Sequence, residues 1–238
     1  MNQPSENDSL VGRTLLKNEP SEVRNGFIRK VYGILSTQLL LTATVATPLV
    51  MNATLKQWVH TNGAPLVIAA TVVNIALLCA MTVCCESSMR TFPTNYVLLF
   101  LFTASEGFIV GVICSTYTGS SVLLAVVATG FVVGGLTLFA ATTKSDFTGM
   151  GAYLFAALLV LLIFGLFCML FSSPIMHKIY CCFGILLFSF YLIYDTQMIM
   201  GKGELRLGVD DYVFAALQLY LDIIQLFLYI LELVGDRS

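Results

Sequence analysis

The sequence predicts an all-α integral membrane protein with seven transmembrane helices. Hydrophobic residues make up 58% of the 238 positions and charged residues only 11%, against about 25% charged in a typical soluble chain. Seven apolar runs each approach the ~20 residues that a spanning helix needs. Short polar segments separate them. Residues 1–26 are expected to be a disordered cytosolic tail, and 27–238 a single seven-helix membrane domain.

The tail is rich in Asn, Ser, Glu and Pro, a composition that cannot bury a core, and it lacks the apolar stretch of a signal peptide. The first run is Val31–Met51, which contains Gln38. Pro65–Cys85, Tyr96–Cys114, Ser121–Thr142, Met150–Phe171, Ile175–Met200 and Val209–Val234 follow. The expected loops are Asn52–Ala64, Glu86–Asn95, Ser115–Ser120, Thr143–Gly149, Ser172–Pro174 and Gly201–Gly208.

Arg24, Arg29 and Lys30 precede the first run, which by the positive-inside rule puts the N-terminus in the cytosol. Alternation then places Arg90, Lys144, Lys202 and Arg206 on the cytosolic side, and Lys56 and Lys178 on the other. The C-terminus lies opposite the N-terminus if the last segment crosses fully, and on the cytosolic side if that segment is re-entrant. A net charge of −2 with 12 basic residues gives no nucleic-acid footprint.

Seven cysteines show no metal spacing. They read as small membrane-compatible residues, with palmitoylation of Cys84 or Cys85 as the alternative. His60 and His177 are isolated and do not suggest a metal centre. The sequon Asn52-Ala53-Thr54 abuts a membrane end, which disfavours its glycosylation, and Asn7-Asp8-Ser9 falls in the tail. Gly130 and Gly134 in the fourth run have the small-residue spacing that lets two helices approach closely, and are read as packing.

Three carboxyls stand out: Glu106 in the third run, Asp195 in the sixth and Asp222 in the seventh. An acid at bilayer depth costs about 2.5–3.5 kcal/mol on insertion scales and faces protein or water. No lysine or arginine in the runs neutralises these three. Helical spacing puts Gln218, Asp222 and Gln225 on one stripe, and Tyr191 one turn before Asp195. Asn74 is a further polar group, in the second run.

Both aspartates lie on the cytosolic half of the last hairpin. Asp195 precedes Gly201 by six residues and Asp222 follows Val209 by thirteen, an offset of about 10 Å in untilted helices. A helix starting near Tyr212, capped by Asp210 or Asp211, reduces this to about 6 Å. If the two meet they share a proton and titrate as a unit. Fully ionised, they suit a divalent cation that takes oxygen ligands, with Gln218 and Gln225 as extra carbonyls, and calcium fits that description. Glu204, Asp210 and Asp211 read as a solvated turn and a cap.

These residues resemble the transmembrane Bax inhibitor motif family, in its Lifeguard and Golgi anti-apoptotic protein branch. The resemblance runs from Phe27 to about Leu233 and rests on Phe27-Ile28-Arg29-Lys30-Val31-Tyr32, Asn95-Tyr96 leading to Glu106-Gly107, Asp146-Phe147, Tyr194-Asp195-Thr196 and Tyr220-Leu221-Asp222. It implies a fold whose last helix is central and wrapped by the other six. It also implies a pH-sensitive calcium leak of Golgi or endoplasmic reticulum membranes that lowers store calcium and inhibits apoptosis, with Asp195 and Asp222 as the paired aspartates and Glu106 as the helix-three acid. No cofactor is expected, calcium being the transported ion. The lipid bilayer, other membrane regulators of cell death and a second copy of the chain are the expected partners.

Two other functions are compatible with the residues. One is a non-conducting membrane regulator that acts by protein–protein contact. The other is an intramembrane aspartyl protease, against which Asp222 follows Leu219-Tyr220-Leu221 and lacks the flanking glycines of that class. The chain is not expected to be an enzyme.

Overall fold

The computed structural model describes residue 16 and residues 20–81, 91–171, 173–202 and 207–237. Most of the expected tail, Cys84, Cys85, Arg90, Glu204, Arg206 and the side chain of His60 lie outside the described residues. Seven helices long and apolar enough to cross a membrane follow in order: α1 Ser21–Met51, α2 Ala53–Cys79, α3 Thr94–Ser115, α4 Gly119–Thr142, α5 Gly151–Phe171, α6 Pro174–Ile199 and α7 Tyr212–Val234. A 3₁₀ turn, Thr148–Met150, leads into α5.

Two boundaries differ from the sequence reading by more than a few residues. Helix α1 starts at Ser21, so residues 21–26 are helix and not tail, and Leu16 is buried with its N–H on the Leu207 carbonyl at 2.9 Å. Hydropathy missed this turn because it is polar and projects beyond the apolar run. The expected loop Asn52–Ala64 is also helix. Asn52 alone separates α1 from α2, and its Oδ1 accepts from the N–H groups of Thr54 and Leu55 at 3.0 and 3.2 Å. An Asn in extended backbone is a strong N-cap, which lets α2 begin at once.

Helix α7 is the core. Two thirds of its spanning window is buried, against 11–39% for the others. Leu217, Leu219, Leu226 and Leu231 are all essentially inaccessible. Its main partners are α1, α3, α4 and α6, four helices rather than the expected six, with α2 packed outside on α1 and α3 and α5 outside on α6. Apolarity alone does not select the central helix, since α5 is the more uniformly apolar yet only 17% of its window is buried. Most of the leucines and phenylalanines of α4 and α5, such as Phe131 and Leu170, face outward, while Leu154 and Leu161 of α5 are buried with Leu187 of α6.

The close helix contacts are not where the glycine spacing of α4 put them. A Cβ at Gly130, Gly134 or Gly135 would meet nothing within 4 Å. On α3, a Cβ at Gly107 would stand 3.1 Å from Thr42 Cα, and one at Gly111 2.8 Å from Ala46 Cα. The small-residue seam therefore joins α3 to α1. Between α1 and α4 an apolar groove of about 770 Å³ stays open, lined by Ala43, Ala46, Val126 and Gly130 and floored by Ile223 and Phe227.

Helix α7 runs its full length, and the chain after it returns to the α3–α4 loop. There Tyr117 and Arg237 form an antiparallel bridge and Thr118 N–H donates to Asp236 at 3.0 Å. The start of α1 and the end of α7 thus lie at opposite ends of the bundle. Arg24, Arg29, Lys30, Lys144 and Lys202 lie at the N-terminal end, and Lys56, Lys178 and Arg237 at the other.

Candidate functional site

Helix α6 ends in a way that fixes its last turns. Gly201 adopts φ +70, and its N–H and that of Lys202 donate back to Met198 and Gln197 carbonyls at 3.0 Å each. That is the Schellman arrangement, which needs a residue free to take left-handed backbone. It turns Lys202 toward the exposed C-terminal carbonyls of α4: Nζ donates to Ala140, Ala141 and Thr143 oxygens at 2.9, 2.9 and 3.1 Å. A cation at a helix C-terminus is the favourable end of the dipole.

Gln197 completes the anchor. Fully buried, it donates from Nε2 to the Ser145 carbonyl at 2.9 Å and accepts from Phe147 N–H through Oε1 at 2.8 Å. Asp146, in turn, caps the 3₁₀ turn by accepting from Thr148 N–H and Oγ1 at 2.8 and 2.7 Å. The last two turns of α6 are thereby tied to α4 and the α4–α5 loop. Asp195 sits on them.

Asp195 and Asp222 face each other across the α6–α7 contact, 3% and 5% exposed, with their carboxyl groups within hydrogen-bonding reach. Asp195 is four residues from the end of α6 and Asp222 ten from the start of α7, an offset of about 9 Å at 1.5 Å per residue. The connection Met200–Asp211 takes it up, so that α7 begins well outside the end of α6. Asp211 holds the cap position, but its carboxylate accepts from Gly208 N–H at 2.9 Å rather than from the first turn of the helix. Asp195 Oδ1 and Asp222 Oδ2 are buried with no other partner. A shared proton would satisfy such an arrangement, since two carboxylates in contact cannot both stay ionised without a cation.

Tyr191 belongs to this site, interacting electrostatically with both aspartates, and Tyr194 interacts with Asp195. Gln218 and Gln225 lie one turn to either side of Asp222, half-buried, and the side chain of neither makes a hydrogen bond among the described residues. Among the described residues no group of three or more His, Cys, Asp or Glu is placed to hold a metal. A cation at the pair would therefore have two carboxylates as its charged ligands, with neutral oxygens for the rest.

Glu106 stands elsewhere. It accepts a hydrogen bond from Asn74 Nδ2 of α2 and interacts electrostatically with Tyr220. Tyr220, fully buried in α7, lies 2.7 Å from Thr42 Oγ1, which already donates to the Gln38 carbonyl and so accepts from the tyrosine. Gln38 donates from Nε2 to Thr103 Oγ1 at 3.1 Å. This makes a second polar layer, among α1, α2, α3 and α7, on the far side of α7 from the aspartates. The three acids form a pair and a separate one. Thr42, Thr103, Gln197 and Lys202 carry structural roles the residue pattern did not assign, since a threonine in an apolar run has the same appearance whether it faces lipid or a tyrosine.

Residues 24–238 match the family model described as inhibitor of apoptosis-promoting Bax1. Protein lifeguard 3 of Homo sapiens is 35% identical over 221 residues, covering 91% of this chain and 70% of that protein. Protein lifeguard 4 of Mus musculus is 39% identical over 210 residues, covering 88% of this chain and 84% of its own length.

Proposed function

The chain belongs to the Bax inhibitor family, and from that premise we propose that it is an anti-apoptotic protein of Golgi or endoplasmic reticulum membranes that leaks calcium from the store. Its N-terminus faces the cytosol, the side favoured by the basic residues at that end. A proton shared by Asp195 and Asp222 holds the leak shut, and loss of that proton creates the cation site.

The observation that carries this reading is the buried contact between two acids on different helices with no lysine or arginine against them. Packing alone does not call for it, because a carboxyl at that depth is costly and is kept where ions or protons move. Both carboxyls are shut off from their surroundings, 3% and 5% exposed, so conduction requires a more open arrangement of α6 and α7 than this one. Calcium efflux from proteoliposomes tests the proposal: flux in the wild type, lost in both Asp195→Asn and Asp222→Asn, is expected. Equal flux in all three would overturn it.

The sealed pair also fits a non-conducting regulator. That reading is favoured if the protection of cells from apoptosis survives in a double aspartate variant that passes no calcium.

A further inference from the structure

The groove between α1 and α4 is closed at one end and open at the other. Toward the N-terminal end of the bundle, Tyr32 of α1 interacts with Thr137 of α4. Past that contact the lining begins, at Leu39 on α1 and Val133 on α4, and it continues to Met51, the last residue of α1, and Gly119, the first of α4. The twelve steps from Leu39 to Met51 and the fourteen from Gly119 to Val133 make it about 18–21 Å long. Half a bilayer, from headgroup surface to midplane, is about 20–22 Å. The groove therefore spans one leaflet, open at the membrane surface and shut at mid-depth.

Its walls offer water nothing. Each of the three threonines in the lining gives its hydroxyl proton to its own helix: Thr42 donates to the Gln38 carbonyl at 2.9 Å, Thr47 to Ala43 at 2.7 Å and Thr129 to Ala125 at 2.7 Å. A cavity so lined stays dry and takes apolar guests. The rim is continuous with the surface that meets the bilayer, since Met51, Leu123 and Val126 line the groove and are themselves exposed. A helix from a second copy does not suit this shape. To cross the hydrocarbon it needs about 30 Å of groove, whereas a lipid tail ends at mid-depth.

We propose that the groove is a binding site for a phospholipid acyl chain, seated with its ester end beside Met51 and Gly119 and its methyl end near Leu39 and Val133. The chain lies against Ile223, Ile224 and Phe227 of α7, which floor the groove. Those contacts fall on the helix that carries Asp222, but the inference uses no titratable group and does not depend on a calcium leak.

Photo-crosslinking of the full-length protein in phosphatidylcholine vesicles tests it, with a trace of phosphatidylcholine that bears a diazirine near the methyl end of one chain. Mass spectrometry locates the label. Ile223 and Ile224, 9% and 4% exposed, should be labelled, although lipid outside the groove cannot reach them. Leu162, exposed midway along α5, is the reference for ordinary bilayer contact. Gly130→Leu adds a side chain where a Cβ meets nothing within 4 Å, and Ala43→Leu fills the opposite wall. Each should lower the α7 label relative to Leu162 by about tenfold, the effect of roughly 1.4 kcal/mol of overpacking against the tail. Gly134→Leu, one turn along α4 and outside the lining, should leave the ratio unchanged. Three outcomes would overturn the site: a wild type labelled at Leu162 but not on α7, α7 label that persists in both filled variants, or an equal fall in Gly134→Leu.

Discussion

Tyr220 and Asp222 stand two residues apart on α7 and serve opposite sides of it: Tyr220 Oη bonds to Thr42 of α1 at 2.7 Å, while Asp222 meets Asp195 of α6. Two helical steps are about 200° of rotation, so one short stretch addresses both halves of the bundle. Seating the tyrosine sets the rotation of α7, and the rotation aims the aspartate.

Removing the tyrosine hydroxyl should therefore loosen the bundle without opening the pair. Tyr220→Phe leaves the Thr42 hydroxyl still donating to Gln38, so no donor is orphaned and the expected loss is about 0.5–1.5 kcal/mol. Thermal unfolding in detergent measures it. A double-mutant cycle with Thr42→Val should return a coupling of similar size, and a coupling near zero would show that the two hydroxyls do not bond.

Glycine substitutions should sort by neighbour and not by spacing. Gly111→Ala drives a methyl to within 2.8 Å of Ala46 Cα and 2.7 Å of Leu49 Cδ1, an overpacking that costs about 1–3 kcal/mol. At Gly130 and Gly134 the added methyl meets nothing, and alanine there should gain about 0.5–1 kcal/mol of helix propensity. Melting temperatures of the three variants decide it, and the reverse order would refute the α1–α3 seam.

That reversal shows what the residues disclose and what they conceal. Seven spans, and the two aspartates as the place to look, were legible, because hydrocarbon-length runs and buried acids are strong signals in one dimension. The direction in which a small residue points was not. Gly130 and Gly134 share the spacing of Gly107 and Gly111, and only the close packing of α3 on α1, which α4 does not share, distinguishes them. Asn74 and Glu106 were visible as polar groups in separate runs, yet their pairing depends on how α2 leans on α3. Asn52 did carry a readable signal, an N-cap residue where a loop was expected, but the polar residues after it masked the helix that it starts.

Calcium binding to the pair should weaken on acidification. The ion needs ionised carboxylates and the competing form carries a proton, so each binding event releases protons and affinity falls as pH falls. Calcium titrations of purified protein at two pH values check the sign. Asp195→Asn and Asp222→Asn should abolish the binding singly, and the double variant should add little, since the two act as one unit. Calcium affinity independent of pH would break the link between proton and ion.

The C-terminal clasp should come apart in alkali. Tyr117, in the α3–α4 loop, is buried against Arg237, whose guanidinium lies 5.9 Å from its ring centre. Burial raises its phenol above the ordinary value of 10.0, although Arg237 pulls the other way. A group whose folded pKa is raised lends stability that is complete below the unfolded value and is lost as pH climbs past it, so the clasp should hold up to about pH 10 and weaken beyond. Removing residues 235–238 also removes the Thr118–Asp236 backbone bond and the Ser121 Oγ contact to Asp236 N–H at 2.9 Å. Each is worth about 0.5–1.5 kcal/mol. Amide exchange in Thr116–Ser121 should therefore rise in the truncated chain at neutral pH, and in the full chain only above the tyrosine's titration. If the loop exchanges equally fast in both chains at neutral pH, the bridge does not hold the end of α7 in place.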